Sequence, residues 1–339
     1  MEFFEINSGT LIRLFGMATL SFMIAFFWTP LLTDFLYKNK LGKTIRDAKS
    51  APIMAALHAK KAGTPTMGGI LIWVTVAILT LLFNFSRSGT WLVLFCLIAT
   101  GIVGLVDDYL NVKGIGEKGG GLTFRQKFPV YAAIAAVGAW WFYSKLGWNS
   151  IHLPGIGDFT IGLWYVPLFI VTLVWVAFAS NETDGLDGLA GGIFAFSYGA
   201  YGLLALVEGR EPLAIFCATV MGALLAFLWF NIPPARFFMG DTGSMALGMT
   251  LAVIAFQTNA VVVLPLVTLV FTLEGLSFII QMLSKKFRNG KKIFLSSPFH
   301  HHLEAIGWPE GKIVMRFWII SAISSVAGLA IALVGRGTI

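Results

Sequence analysis

Hydrophobic positions along the chain run in long unbroken stretches. Ten of these approach the roughly 20 apolar residues that a helix needs to cross a bilayer. They fall at about 11–31, 68–85, 90–106, 128–144, 163–179, 189–207, 213–230, 243–258, 260–283 and 315–335, the eighth being short. The runs are continuously apolar and do not alternate over short segments, which predicts helices and argues against a membrane barrel. The expected architecture is all-α: a polytopic integral membrane protein with about ten transmembrane helices, forming one domain over 1–339.

Polar residues interrupt this pattern in four short stretches: GLVDDYLNVK at 104–113, SNETDGLDG at 180–188, LWFNIPPARFFMGDTG at 228–243 and SPFHHHLE at 297–304. Ionisable groups at membrane depth are costly unless they face a cavity, a partner or a ligand. The four stretches are therefore expected to meet on one side of the membrane and to hold a metal and phosphates. Composition agrees with the membrane reading, because 57% hydrophobic and 12% charged residues leave too little polar surface for a soluble globule.

The net charge of +7 invites a nucleic-acid reading, but its distribution decides against one. Nineteen Lys and Arg fall in the segments 32–67, 108–127, 231–242 and 284–316. Only Arg13, Arg87, Lys145, Arg210 and Arg336 fall on the opposite side. This alternation fits ten spans, and the positive-inside rule places the basic loops in the cytoplasm and both termini outside. Basic residues beside a membrane also attract anionic lipids or an anionic substrate. The start, MEFFEINSGT, carries acids where a signal peptide would be basic, so the first span is expected to be retained. Cys96 and Cys217 both lie in apolar runs and read as small hydrophobes.

Taken in order, the stretch HAKKAGTPTMGG sets Lys60 and Lys61 before a turn with Thr64 and Thr66. It reads equally as a basic juxtamembrane loop or as a phosphate site, and it lacks the Walker order. Asp107 and Asp108 end the third span, where the helix dipole disfavours anions, so a compensating cation is expected. Lys113 and Lys118 are the local alternatives to a metal. Arg125 and Lys127 read as snorkelling anchors, and 145–162 as plain connection. Asp184 and Asp187, three apart, would share a helix face, with Asn181 a turn back. Asp241 follows Asn231 and Arg236. Several aspartates and no nearby cysteine favour Mg²⁺ or Mn²⁺ over zinc. Glu274 reads as a buried, hydrogen-bonded acid. Three successive histidines, His300, His301 and His302, cannot all face one way on a helix, which suits phosphate contacts better than a zinc triad.

These motifs together resemble the polyprenyl-phosphate N-acetylhexosamine-1-phosphate transferases. GTPTMGG, VDDY, GLTFRQK, TDGLDGLAGG, FNIPPARFFMGDTGS, SPFHHHLEAIGWPE and RFW occur in the family's order over most of the chain, and SPFHHH with GWPE points to its muramoyl-pentapeptide branch. The resemblance implies a ten-helix, usually dimeric protein of the bacterial inner membrane with a cytoplasmic cleft. It implies transfer of phospho-N-acetylmuramoyl-pentapeptide from UDP-N-acetylmuramoyl-pentapeptide to undecaprenyl phosphate with Mg²⁺, giving lipid I and UMP. By position, Asp107 is the implied base, Asp108 its neighbour and Asp241 the metal-binding aspartate. Asn181, Asp184, Asp187, Asn231 and Phe238 match the nucleotide side, with Phe238 stacking on uracil. Lys61, Thr66 and Lys127 match polar cleft positions, and His300, His301 and His302 match the histidine motif.

Two departures stand out. Asn111 occupies a position where the family usually has lysine, which Lys113 could replace from the glycine loop, and SNETDG is a shortened motif that brings in Glu182. They motivate one alternative, a catalytically impaired homologue. A UDP-N-acetylglucosamine transferase of the sister branch is another. A secondary transporter is disfavoured by the absence of an internal repeat and by acids gathered at span ends.

Overall fold

The computed structural model describes residues 7–42, 61, 63–116 and 120–334. Lys60, Lys118, Arg336, the acidic start and the basic residues of 43–60 lie outside the described residues. A helix stands at each of the ten apolar stretches. In chain order the helices are α1 Ser8–Lys38, α2 Ile70–Phe83, α3 Trp91–Val112, α4 Phe124–Trp140, α5 Tyr165–Thr183, α6 Leu189–Val207, α7 Glu211–Asn231, α8 Asp241–Gln257, α9 Leu264–Val267, α10 Leu269–Phe287, α11 Phe299–Ala305 and α12 Glu310–Val334. Six of them, α1, α3, α5, α6, α7 and α12, are long and apolar enough to cross a membrane alone. A seventh crossing arises if α9 and α10, bent by 80°, are counted as one broken span. The chain is an all-α, multi-pass membrane protein. α2, α4 and α8 have 14, 17 and 17 residues.

The short α8 is the centre of the bundle. Every residue from Thr242 to Gln257 is buried, as expected of a helix that is apolar all round yet surrounded by protein. It packs chiefly against α3 and α5, and further against α2 and α6. Around this nucleus α1 lies on α7, α7 on α6, and α6 on α12.

Small residues set the closest approach. A Cβ on Gly104 of α3 would lie 2.5 Å from the Asp241 carbonyl oxygen and 2.6 Å from the Thr242 Cα, so α3 and the start of α8 meet backbone to backbone. Gly69, just before α2, meets Gly243 in the same way. These contacts bring Asp107 and Asp108, one turn beyond Gly104, beside Asp241. The two acids lie inside α3, which continues to Val112 past the expected span end.

The 145–162 segment is not plain connection. It contains an antiparallel hairpin, β1 Ser150–Leu153 with β2 Gly157–Thr160, turning at Pro154–Gly155. Its His152 and Asp158 pair across the strands at 2.8 Å. Cys96 and Cys217 are buried and free, as their apolar settings led us to expect.

If the Gly104 contact sets the α3–α8 spacing, Gly104→Ala should destabilise the protein by about 1–3 kcal/mol, the usual range for overpacking. Thermal unfolding in detergent measures this, and an unchanged midpoint would show that the helices can part freely here.

Candidate active site

Five elements converge at the end of the bundle where α8 starts. The Lys127 ammonium, from the first turn of α4, is bonded to both Asp107 Oδ2 of α3 and Asp241 Oδ2 of α8, the latter at 2.6 Å. A capping box orients that turn: Gln126 Oε1 accepts from the backbone N–H and the hydroxyl of Thr123, both at 2.9 Å. Asn181, near the end of α5, donates to Asp241 Oδ1 at 2.8 Å and to Ser244 Oγ at 3.0 Å. Asp107 Oδ1 accepts from the Leu122 N–H as the glycine loop returns to α4. Asp108 Oδ2 accepts from the Thr242 N–H at 3.1 Å.

The compensating cation expected for Asp107 is therefore Lys127. This corrects its reading as a snorkelling anchor. Lys113 does not fill that role, since it is exposed, with its ammonium 5.7 Å from the Tyr109 ring centroid. Burial works against ionisation of Asp241, but Lys127 and hydrogen bonds with Asp107 and Asn181 hold its carboxyl well below the usual range. Asp241 also begins α8, where the helix dipole favours an anion. Burial likewise opposes the Lys127 charge, yet Asp241 and Asp107 push its pKa up.

The donor set suits a hard divalent cation. Asp107, Asp108 and Asp241 offer carboxylate oxygens, and the ammonium seated between two of them shows that the intervening position takes positive charge. Among the described residues, however, no three His, Cys, Asp or Glu side chains are grouped for metal binding, so Lys127 would have to turn aside. Thr66 borders the same place. Its hydroxyl is buried without a hydrogen-bond partner, and it flanks Gly240 together with Asp108 Oδ2. Gly240 has φ 76°, in the left-handed region, and a Cβ there would clash with both oxygens.

Asp184 and Asp187 do not share a helix face, because α5 ends at Thr183 and a turn carries the chain into α6. They hold separate parts of the 235–240 segment: Asp184 Oδ2 accepts from the Gly240 N–H and Asp187 Oδ2 from the Ala235 N–H, each at 3.0 Å. Asp187 Oδ1 also binds Lys61 at 2.7 Å, and Lys61 reaches Glu310 at 2.6 Å. Burial would lower the Lys61 pKa, but these two carboxylates raise it above its ordinary value. Asn231 is buried and committed to protein: Oδ1 accepts from Gly188 N–H at 2.9 Å, and Nδ2 donates to Phe237 O at 2.8 Å. Phe237 packs in the core against Phe227 and Phe230. Phe238 is half-buried, and its backbone pairs with Pro65 and Gly68.

The three histidines point three ways along α11, as the spacing requires. His300 is fully buried, with Nδ1 2.9 Å from Glu274 Oε2 and its backbone N–H donating to Glu274 Oε1 at 3.0 Å. Glu274 is thus the buried, bonded acid that the sequence suggested. His301 Nδ1 lies 2.8 Å from Glu304 Oε2. The Nε2 atoms of His300 and His301 face each other at 3.2 Å. His302 accepts from the Leu295 N–H at 3.3 Å. The first two rings rest on Gly185, between Asp184 and Asp187, which joins the histidine loop to the acid cluster. Sequence reasoning missed Glu310, Ser244 and Tyr131. Only Tyr131, four residues after Lys127 on one helix, carried a spacing signal.

A family model described as glycosyl transferase family 4 matches residues 90–259. A signature described as phospho-N-acetylmuramoyl-pentapeptide-transferase signature 1 matches residues 61–72, which include Lys61 and Thr66. A protein named phospho-N-acetylmuramoyl-pentapeptide-transferase from Geobacillus sp. (strain WCH70) is 42% identical over 318 residues, covering 92% of this chain and 95% of the relative. Proteins of the same name from Chloroflexus aggregans (39% identical, 88% of this chain, 84% of the relative) and Shouchella clausii (41% identical, 92% and 95%) are similar over comparable lengths.

Removing Glu274 leaves the buried His300 N–H and ring nitrogen without their carboxylate partner, a loss of about 1–3 kcal/mol. Glu274→Ala should destabilise by that order, whereas Glu274→Gln, which keeps an acceptor for the His300 N–H, should lose less. Parallel thermal melts decide this, and equal losses would mean that cavity formation dominates over pairing.

Proposed function

The chain belongs to the phospho-N-acetylmuramoyl-pentapeptide-transferase family, and on that premise we propose that it transfers phospho-N-acetylmuramoyl-pentapeptide from UDP-N-acetylmuramoyl-pentapeptide to undecaprenyl phosphate. The products are lipid I and UMP, in the first membrane step of peptidoglycan synthesis. The observation that carries the reading is the Lys127 ammonium held between Asp107 and Asp241, with Asn181 and Asp108 beside it. A reaction between two anionic phosphates needs positive charge and fixed oxygen donors where they meet, because catalysis of phosphoryl transfer is mostly positioning and charge stabilisation.

In this mechanism an oxygen of the lipid phosphate attacks the sugar-bound phosphorus, and the bond to the bridging oxygen breaks, leaving UMP. Asp107 is the base that takes the proton of the lipid phosphate. It is bonded to Lys127 at the junction where the two phosphates would meet. Asn181 fixes Asp241 by occupying one carboxylate oxygen, so the other is directed at Lys127 and at whatever cation replaces it. Asp241, with Asp108 beside it, would hold Mg²⁺, which would supply positive charge for the diphosphate and the departing UMP. Lys127, held at this junction by Asp107 and Asp241, is the ammonium that would bind a phosphoryl oxygen. Asp184 and Asp187 hold the segment that presents Phe238 to the uracil, and the histidine loop closes the nucleotide side.

We place this end of the bundle in the cytoplasm and both termini outside, because the basic loops lie on the site's side. The isoprenoid tail then stays in the bilayer while its phosphate enters the junction, and a homodimer is the assembly we expect. One of the two departures loses its force here, since Lys127 supplies Asp107 with the cationic partner that Asn111 is not.

The test is UMP release by the detergent-purified protein with undecaprenyl phosphate and Mg²⁺. EDTA should abolish release from UDP-N-acetylmuramoyl-pentapeptide, and UDP-N-acetylglucosamine should give none. UMP from the second donor alone would move the chain to the sister branch. Asp241→Asn should remove turnover without unfolding the protein. Lys127→Met should lower kcat at least about a hundred-fold, the usual effect of losing one positioned transition-state donor. Wild-type turnover by Lys127→Met would leave the central observation without a catalytic meaning.

A further inference from the structure

Tyr131 lies on α4 one turn after Lys127, on the same helix face. The residue is only 2% exposed, and among the described residues its hydroxyl is enclosed without any hydrogen-bond partner. Buried phenol hydroxyls usually find a partner, and one left alone calls for an explanation. Its surroundings sharpen the question, since Lys127, one turn away on that face, is bonded to Asp107 and Asp241. Tyr165, whose hydroxyl is also enclosed and unpartnered, differs because it sits in an aromatic cluster with Phe142, Phe169 and Phe256. Tyr131 instead lies on the helix face that carries Lys127 to Asp107 and Asp241, and among the described residues nothing accepts its hydrogen.

We propose that the Tyr131 hydroxyl is kept for a phosphoryl oxygen of the substrate, which makes it a substrate-contacting donor in addition to the residues assigned above. This inference rests on the phosphoryl-transfer reading of the site. The chemistry is that of a neutral donor beneath a charged one. Lys127 and Tyr131 project from successive turns of one helix, so a phosphoryl group drawing Lys127 off the carboxylates comes within reach of the phenol behind it. A neutral donor suits that inner place, because a second buried cation would have to be compensated in the ligand-free protein, whereas an idle hydroxyl is tolerated. The phosphoryl oxygen could belong to the nucleotide diphosphate or to the lipid phosphate, and these two sources are separable by experiment.

Tyr131→Phe removes the hydroxyl and keeps the ring. A hydrogen bond to a charged group is worth enough that kcat/KM should fall roughly ten- to a hundred-fold. Without substrate, the melting temperature should hold or rise, since an unpartnered buried hydroxyl has been deleted. Varying each substrate in turn identifies the source. A raised KM for UDP-N-acetylmuramoyl-pentapeptide assigns the contact to the diphosphate, a raised KM for undecaprenyl phosphate assigns it to the lipid, and a fall in kcat alone assigns it to the transition state. Wild-type kinetics in Tyr131→Phe would overturn the inference, as would a lowered ligand-free melting temperature without kinetic loss, which marks a structural hydroxyl. Should the unsubstituted protein release no UMP from either donor, the underlying reading falls and Tyr131 with it; an active parent with an indifferent variant removes Tyr131 alone.

Discussion

Two carboxylates from different helices share a half-dry junction here, and an ammonium lies between them. Asp107 comes from the C-terminal part of α3, where the helix dipole opposes it, and Asp241 from the first turn of α8, where the dipole helps. Lys127 makes the meeting tolerable, and much else follows from where that ammonium must stand. α4 has to begin close enough to deliver it, so the glycine loop returns to α3 through the Leu122 N–H. α3 and α8 must approach at backbone distance, so Gly104 carries no side chain. The second carboxylate oxygen of Asp241 must be fixed, and α5 ends there with Asn181.

A second set of charges holds the outer part of the site by the same logic. Lys61 joins Asp187 to Glu310, tying the chain before α2 to the turn before α6 and to the start of α12. Glu274 and His300 join α10 to α11. Each link connects segments far apart in sequence, so the loops around the site are cross-braced by buried polar contacts. Such contacts give specific geometry more than stability, since desolvation consumes much of their Coulombic gain.

Much of this was legible in the sequence, for reasons that also explain what was not. Asp107, Asp108 and Asp241 could be picked out because an acid beside hydrocarbon is costly and so rarely incidental. The helices could be placed because apolar runs are long. Lys127 was misread because a lysine flanking a span usually reaches for lipid headgroups, and only the fold shows that α4 starts with this face toward α3. The shared face for Asp184 and Asp187 assumed an unbroken helix, whereas the chain turns at that point and separates them. Glu274 was recognised as buried, but its partner lies 26 residues away, beyond any local periodicity. Tyr131 was passed over, because with Lys127 read as an anchor nothing in the linear pattern sets one aromatic of an apolar run apart from the others. In each miss, the deciding contact joins elements whose relative rotation no linear pattern encodes.

The full enclosure of α8 has a consequence for how the molecule is built. The helices that wall it in, α2, α3, α5 and α6, all precede it in the chain. By the time the ribosome has made α8, its socket is already synthesised, and the helix can pass from the translocation machinery into a protein-lined slot without settling in lipid. The acidic junction is therefore completed in order of synthesis: acids from α3 first, then the lysine of α4 and the amide of α5, and last the aspartate at the head of α8. Only the outer loops await the remainder of the chain.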